Sequence, residues 1–346
     1  LVNWLSPPHS HWAFQHVEDF MPTAVIPRGS GPVASLPCAR APIAEIAVTR
    51  IDGTAGTVGE VMAGSHSDGW AVAHRGVLVA EEYRDGMGVG TRHLLFSVSK
   101  SLVAAVVGAL CGAGVLEVDA FVTDYVGALA ECGYAGATVR HLLDMRSGVL
   151  FSEDYDDPDA EIHVREQVIG WQRPIRTDLP LTLRDYLLTL RRKSAHGGPF
   201  EYRSCETDVL GWVCEAAAGQ EMPGLMSELL WSRIGALSDA TIGVDAAGTG
   251  VFDGGISACL TDMIRFGSLF VRDGSYQLYV ESMKREGAGD LFLRFEALKR
   301  KLAAEGLFDP ARKREIPFNP RVVGVATSKT GAAIRDIIRV LRRRNP

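Results

Sequence analysis

The spacing of apolar residues along the chain separates an irregular start, a run of strands and helices, and a charged end. Residues 21–60 are rich in Pro, Gly and Ala, show no clear period and read as an irregular lead-in. Trp70-Ala-Val-Ala-His74, a turn at Arg75-Gly76 and Val77-Leu-Val-Ala-Glu-Glu-Tyr83 predict a β-hairpin, since two β-prone runs flank a glycine turn. Residues from about 97 to 110 are apolar nearly all round, which predicts a helix buried on every side. Gly112 and Gly114 supply its left-handed stop. A short amphipathic helix follows over 138–145, closed by Ser147-Gly148.

Residues 151–194 turn acidic, then aromatic, then basic, with Pro158, Pro174 and Pro180 as punctuation. A connection of that length is expected to be a lid or binding loop. Further helices are expected over about 207–218, 223–234 and 261–270, the last opened by Gly254-Gly255-Ile-Ser257. Beyond 276 a charged helix carries Leu291, Phe295, Leu298 and Leu302 on one face, and a β-branched strand near Arg321-Val-Val leads to a helix beginning near Ala332. There is no internal repeat and no low-complexity tract.

With 346 residues and 47% hydrophobic content, the chain is long enough for a large core and about two domains. The six cysteines have no C-x-x-C spacing, and Cys111 and Cys214 fall in apolar helical stretches, so they read as small buried hydrophobes. The first twenty residues, broken by Pro7 and Pro8, do not have the form of a signal peptide, and no apolar run reaches the ~18 residues of a membrane span. A cytoplasmic protein with no membrane partner is therefore expected.

Charge is divided unevenly. Residues 276–346 hold 16 Lys and Arg against 8 Asp and Glu, a net of +8, whereas residues 1–275 carry a net of −14. Such asymmetry points to a basic, nucleic-acid-facing module joined to something else.

Ser97-Val98-Ser99-Lys100 opens the apolar helix and puts a hydroxyl and an amine one turn apart on one face. A serine needs a group to take its proton before it is a useful nucleophile, and a nearby lysine is one such partner. Thr138-Val-Arg-His-Leu-Leu-Asp-Met-Arg-Ser-Gly148, Tyr202-x-Ser204 and Gly254-Gly-Ile-Ser257 with Thr261-Asp262 come after it in order. His74, His93, His141 and His163 have no ligand spacing, so no metal is implied, and no cofactor motif is present.

These four ordered motifs resemble the serine β-lactamase and penicillin-recognising family, and within it the 6-aminohexanoate-dimer hydrolases, a branch near class C β-lactamases and carboxylesterases. The likeness runs over about residues 4–274, including Pro7-Pro8-His9 and Trp12-Ala-Phe14. It implies an α/β (α+β) fold and an acyl-enzyme on Ser97, with the Ser97 backbone N–H as half of an oxyanion hole. Lys100 and Tyr202 would relay the proton, and Ser204 would fill the family's Asn or Ser position. Substrate contacts would come from Tyr155 on the leaving nitrogen, Trp171 closing the lid, Glu166 where the branch has Asp, and Asp253 where it has Asn. An extra carboxylate there would repel a carboxylate-ended substrate, so a small ester is expected as readily as an amide.

From Tyr276 onward the sequence resembles the large subunit of exonuclease VII, at the end of its OB-fold and the first β-α unit of its catalytic domain. That resemblance implies a nuclease-like role for Thr327, Ser328 and Asp336, and nucleic acid as a partner of 276–346. Lys329-Thr330-Gly331 spells a β-lactamase box but lies between a strand and a helix, whereas the box belongs within a strand. The expectation is a hydrolase domain over 1–274 lacking its C-terminal strands, with an open sheet edge and an uncovered nucleophile helix, joined to an exonuclease-like fragment over 276–346. The competing readings are an exonuclease fragment or an inert fusion of two truncated frames.

Overall fold

Strand β1 (Thr23–Ile26) comes out of the proline-rich lead-in, and β2 (Gly69–His74) and β3 (Val77–Tyr83) form the hairpin. Strand β4 (Arg92–Leu94) runs toward Ser97, while β5 (Ala240–Gly243) and β6 (Ile256–Cys259) come after the helical middle of the chain. The computed structural model describes residues 3–272, with 275–276, 301 and 305–306. The chain divides into two compact units, Leu1–Leu278 and Tyr279–Pro346. The triplet Lys329-Thr330-Gly331, the charged helix, and Thr327, Ser328 and Asp336 lie outside the described residues.

The four strands β1, β5, β6 and β4 form one antiparallel sheet in that order, with Leu94 opposite Ser257 and Thr241 opposite the same residue on its other side. The hairpin forms a separate pair. Its turn residues Arg75 and Gly76 both have positive φ (51° and 76°), the twist that joins two strands across two residues. An extended segment lies along β3, where Leu78 N–H donates to Pro37 O at 2.8 Å and Ala39 N–H to Leu78 O at 3.1 Å. Among the described residues the opposite edge of β2 has no strand partner.

The helices that bear on the site are α1 (Ser99–Gly112), α2 (Val139–Leu143), α3 (Glu161–Val168), α4 (Ser204–Ala218) and α5 (Leu260–Ser268). Thr138 caps α2, its hydroxyl accepting from His141 N–H at 3.3 Å. Helix α4 packs against both α1 and α2 and ends at Gly219 in a left-handed conformation. Gly211 lets α4 approach the chain closely, since a Cβ there would stand 2.1 Å from the Phe252 ring.

Several expectations are corrected. The lead-in over 21–60 is not wholly irregular: it holds β1, a small hairpin pairing Ala47–Thr49 with Ala55–Thr57, and part of the helix Val58–Gly64. Gly254-Gly255-Ile-Ser257 opens β6 and not a helix; α5 starts only at Leu260. The helix expected over 223–234 is shorter, Met222–Met226, and widens into a π-helical turn over Ser227–Trp231. The stretch 151–194 is partly core: it includes α3 and the helix Leu183–Thr189, and it buries Phe151, Ile162, Ile169 and Leu183.

Helix α1 departs most from expectation. Leu102, Val103, Val106, Val107 and Leu110 are buried, but Ser101, Ala104, Gly108 and Gly112 are exposed along one face. Hydrophobicity is nearly uniform round this helix, while side-chain size is not, and the large residues take the core. The small face helps line a cavity of about 920 Å³ with Ala73, Leu229, Met263 and Phe266.

Candidate active site

Ser97 is presented where β4 passes into a 3-10 turn over Phe96–Val98 and then into α1. The turn is held from three sides. Leu95 N–H donates to Ile256 O at 2.8 Å, Ile256 N–H donates to Ser99 Oγ at 3.3 Å, and the Phe96 ring packs edge-on against Phe14 and Trp171 at 5.0 and 5.9 Å. Phe96 itself has φ of +45°, a conformation that bulky residues rarely adopt and that this packing sustains. The outcome is an exposed Ser97 hydroxyl above a rigid base.

Two side chains meet at that hydroxyl. Tyr202 O–H donates to Ser97 Oγ at 2.8 Å, and Lys100 Nζ donates to the same oxygen at 3.0 Å. Lys100 Nζ also donates to Ser204 Oγ and to the Asp253 carbonyl oxygen, both at 3.0 Å. Three acceptors match the three N–H bonds of a lysine ammonium. The same nitrogen stands 5.0 Å from the centre of the Tyr202 ring, within reach of a cation–π attraction.

A second layer sets the charges. The Asp253 carboxylate lies 3.7 Å from Lys100 Nζ and pairs with Arg165 on α3. Arg165 also donates to Asp208 on α4 at 2.8 Å, and Asp208 accepts from Phe252 N–H and Asp253 N–H at 3.1 and 3.3 Å. Burial opposes the Arg165 charge, but Asp208 and Asp253 outweigh it and hold its pKa above the usual value. Burial pushes the Asp208 pKa up, against the pull of Arg165. The carboxylate at 253 is thus largely neutralised from within. This weakens the repulsion toward an anionic substrate that Asp253 suggested on sequence grounds.

A cavity of about 480 Å³ opens beside Ser97, lined by Phe151, Glu153, Tyr155, Glu201 and Tyr202 among others. Tyr155 is exposed at its mouth, and partial desolvation, reinforced by Glu153 and Glu166, pushes its pKa up to about 12. Glu153 accepts from Ser204 N–H, and burial raises its pKa.

The structure therefore brings Ser97, Lys100, Tyr202, Ser204 and Asp253 together and sets Tyr155 in the same cavity. Glu166 and Trp171 do not line it. Glu166 is buried, accepts from Gln172 Nε2 at 2.5 Å and has its pKa raised by burial. Trp171 is only 8% exposed; it packs edge-on against Trp4 and Phe96, and its carbonyl accepts from Trp4 Nε1 at 3.0 Å. In this conformation Trp171 supports Phe96 from the core instead of covering the substrate space. Glu153, Arg165 and Asp208 escaped the sequence analysis, because their partners stand 51, 88 and 43 positions away and no local spacing signals them.

The beta-lactamase family model matches residues 54–310. The chain belongs to this family. It is 35% identical over 274 residues to the 6-aminohexanoate-dimer hydrolase of Paenarthrobacter ureafaciens, a match that covers 79% of this chain and 68% of that one. A solved structure of a proposed 6-aminohexanoate-dimer hydrolase from Bacillus anthracis superposes with a TM-score of 0.73 at 24% identity, over 79% of this chain and 73% of that one, and shows the same fold. The exonuclease VII large-subunit model matches residues 307–346. A stretch of 86 residues is 58% identical to the exodeoxyribonuclease 7 large subunit of Clostridium botulinum, covering 24% of this chain and only 21% of that one. The chain is thus a beta-lactamase-family hydrolase fold that carries an exonuclease VII large-subunit fragment. Among the described residues no helix is long and apolar enough to cross a membrane.

Proposed function

We propose that the chain is a serine hydrolase that cleaves a small amide or ester through an acyl-enzyme on Ser97. The observation that carries this reading is the convergence of Tyr202 Oη at 2.8 Å and Lys100 Nζ at 3.0 Å on one exposed serine oxygen. Ser97 Oγ adds to the substrate carbonyl carbon while Tyr202 receives the serine proton and passes its own to the leaving nitrogen or oxygen. Collapse of the tetrahedral adduct breaks the scissile bond and leaves Ser97 acylated. Water then attacks the acyl carbon, losing a proton to the same phenol relay, and Ser97 recovers its hydrogen. Lys100 holds its three acceptors throughout and stabilises negative charge on the relay.

For the substrate, the 6-aminohexanoate-dimer hydrolase relative supports a short amide, and the open cavity with Tyr155 at its mouth fits a small acyl group of either kind. Domain boundaries near 274 and 276 and a cytoplasmic location belong to the same proposal. A second reading, nucleic-acid association through the basic residues 276–346, is favoured by the exonuclease VII match alone; the chain covers about a fifth of that relative, so a complete nuclease is not proposed.

The test is a chromogenic short-chain ester and the 6-aminohexanoate dimer offered to the wild type and to Ser97→Ala. An acyl adduct on the intact protein by mass spectrometry, with turnover lost in the variant, supports the hydrolase. Equal turnover by both proteins overturns it. Salt-sensitive DNA retention by the full chain, reduced when the arginines at 342–344 are replaced, supports the second reading.

A further inference from the structure

A second cluster of reactive side chains lies apart from Ser97, where the N-terminal segment meets the hairpin. His11 on the short helix His9–Ala13, Asp68 just before β2 and His93 on β4 line a cavity of about 310 Å³, whose walls also include His66 and Met87, and Asp85, just after β3, stands beside His11. Three ligand-type atoms, one each from His11, Asp68 and Asp85, all lie within 4.8 Å of one another. His11 Nδ1 touches Asp68 Oδ1 and stands 3.7 Å from Asp85 Oδ2. Donor atoms bound about 2.0–2.2 Å from a tetrahedral zinc ion stand about 3.3–3.6 Å apart, so the spacing of His11 from Asp85 already suits a coordination shell, while His11 and Asp68, now in direct contact, must move apart to admit the ion.

The charges point the same way. The Asp68 side chain is only 2% exposed, and among the described residues neither carboxylate pairs with a lysine or an arginine; their ionisable partners are imidazoles. Two carboxylates with no lysine or arginine paired with them among the described residues leave negative charge that a dication would complement. A supporting shell is already in place. His93 Nε2 meets the other Asp68 oxygen at 3.0 Å while its Nδ1 meets Leu94 O at 3.0 Å, and Gln15 Nε2 donates to the same carboxylate at 3.2 Å. Such contacts fix the orientation of a ligating carboxylate. One imidazole with two carboxylates suits zinc and its first-row neighbours better than magnesium or calcium, which favour oxygen alone.

We infer that His11, Asp68 and Asp85 bind a divalent first-row transition-metal ion of the zinc class, with a further coordination position open to the adjoining cavity. The ligands come from three separated parts of the chain, so no spacing motif announces them. The ion would tie the N-terminal segment to both ends of the hairpin.

The experiment is zinc titration of the full chain after chelator treatment, read by calorimetry, metal content and the unfolding midpoint, on wild type, His11→Ala and Asp85→Asn. One equivalent of zinc with a raised midpoint in the wild type, weakened at least tenfold by each substitution, is expected. Asp85 is half exposed, so its variant decides the question if His11→Ala fails to fold. It also leaves all six free cysteines untouched, which separates this site from adventitious thiol binding. No zinc uptake by the wild type, uptake unchanged in Asp85→Asn, or magnesium binding as tight as zinc overturns the proposal.

Discussion

Asp253 meets Lys100 twice: its carbonyl oxygen accepts from Nζ at 3.0 Å, and its carboxylate, already paired with Arg165, stands 3.7 Å from the same nitrogen. Replacing Asp253 by Asn keeps the carbonyl contact and leaves Arg165 paired with Asp208. Replacing Arg165 by Met leaves two buried carboxylates facing each other. Urea unfolding is expected to show a loss of about 3–5 kcal/mol for Arg165→Met and a clearly smaller one for Asp253→Asn, because stranding buried charge costs more than trimming a shared partner.

Tyr202→Phe removes the relay oxygen but keeps the ring beside Lys100. Since Tyr202 is 41% exposed, the fold should tolerate the change. Steady-state kinetics are expected to show kcat falling about 10²–10⁴-fold with KM little altered. A loss confined to KM would assign Tyr202 to binding instead of proton transfer.

Glu206, buried on α4, accepts from Ser147 Oγ at 2.5 Å and from Arg203 at 3.2 Å, yet its second carboxylate oxygen has no partner. Burial pushes its pKa up to about 7. The folded state therefore holds a proton that the unfolded chain releases near its ordinary value of 4.5. Stability is fully present below that value and falls as pH rises toward 7, by up to about 3 kcal/mol. Glu206→Gln is expected to flatten this slope in denaturation curves taken across the interval. Asp208, also raised by burial, adds to the decline in the same direction.

Two helical glycines should respond oppositely to a methyl group. A Cβ at Gly108, on the exposed face of α1, meets nothing within 4 Å among the described residues, so Gly108→Ala is expected to stabilise by about 0.5–1 kcal/mol. At Gly211 a Cβ would overlap the Phe252 ring, and Gly211→Ala is expected to destabilise by about 1–3 kcal/mol. Thermal melts of the two variants check both signs.

Sequence alone reveals this molecule best where structure is local. The hairpin comes from two β-prone runs around Arg75-Gly76, α2 from the amphipathic run over 138–145, and the neighbouring placement of Ser97 and Lys100 from helical spacing. Tyr202 is found only because its motif falls in order with the others. Three things are hidden. Which residues of α1 form its exposed face escapes because hydropathy treats alanine and valine alike, while packing sorts them by size. The start of β6 reads as a helix start because Gly254-Gly255 marks a break in the chain without specifying the element after it. The pairing of Arg165 with Asp208 and Asp253 joins α3 to α4 and to the chain just before β6, a tertiary fact that no short window of residues contains.

Helix α4 carries both Ser204, whose hydroxyl takes one hydrogen of Lys100, and Asp208, which pins the backbone at 252–253 and so the carbonyl that takes another. Any tilt of that helix displaces the two acceptors together. The lysine's surroundings therefore behave as one block on a single lever, and a mutation far along α4 that shifts its axis should reach the nucleophile without touching it.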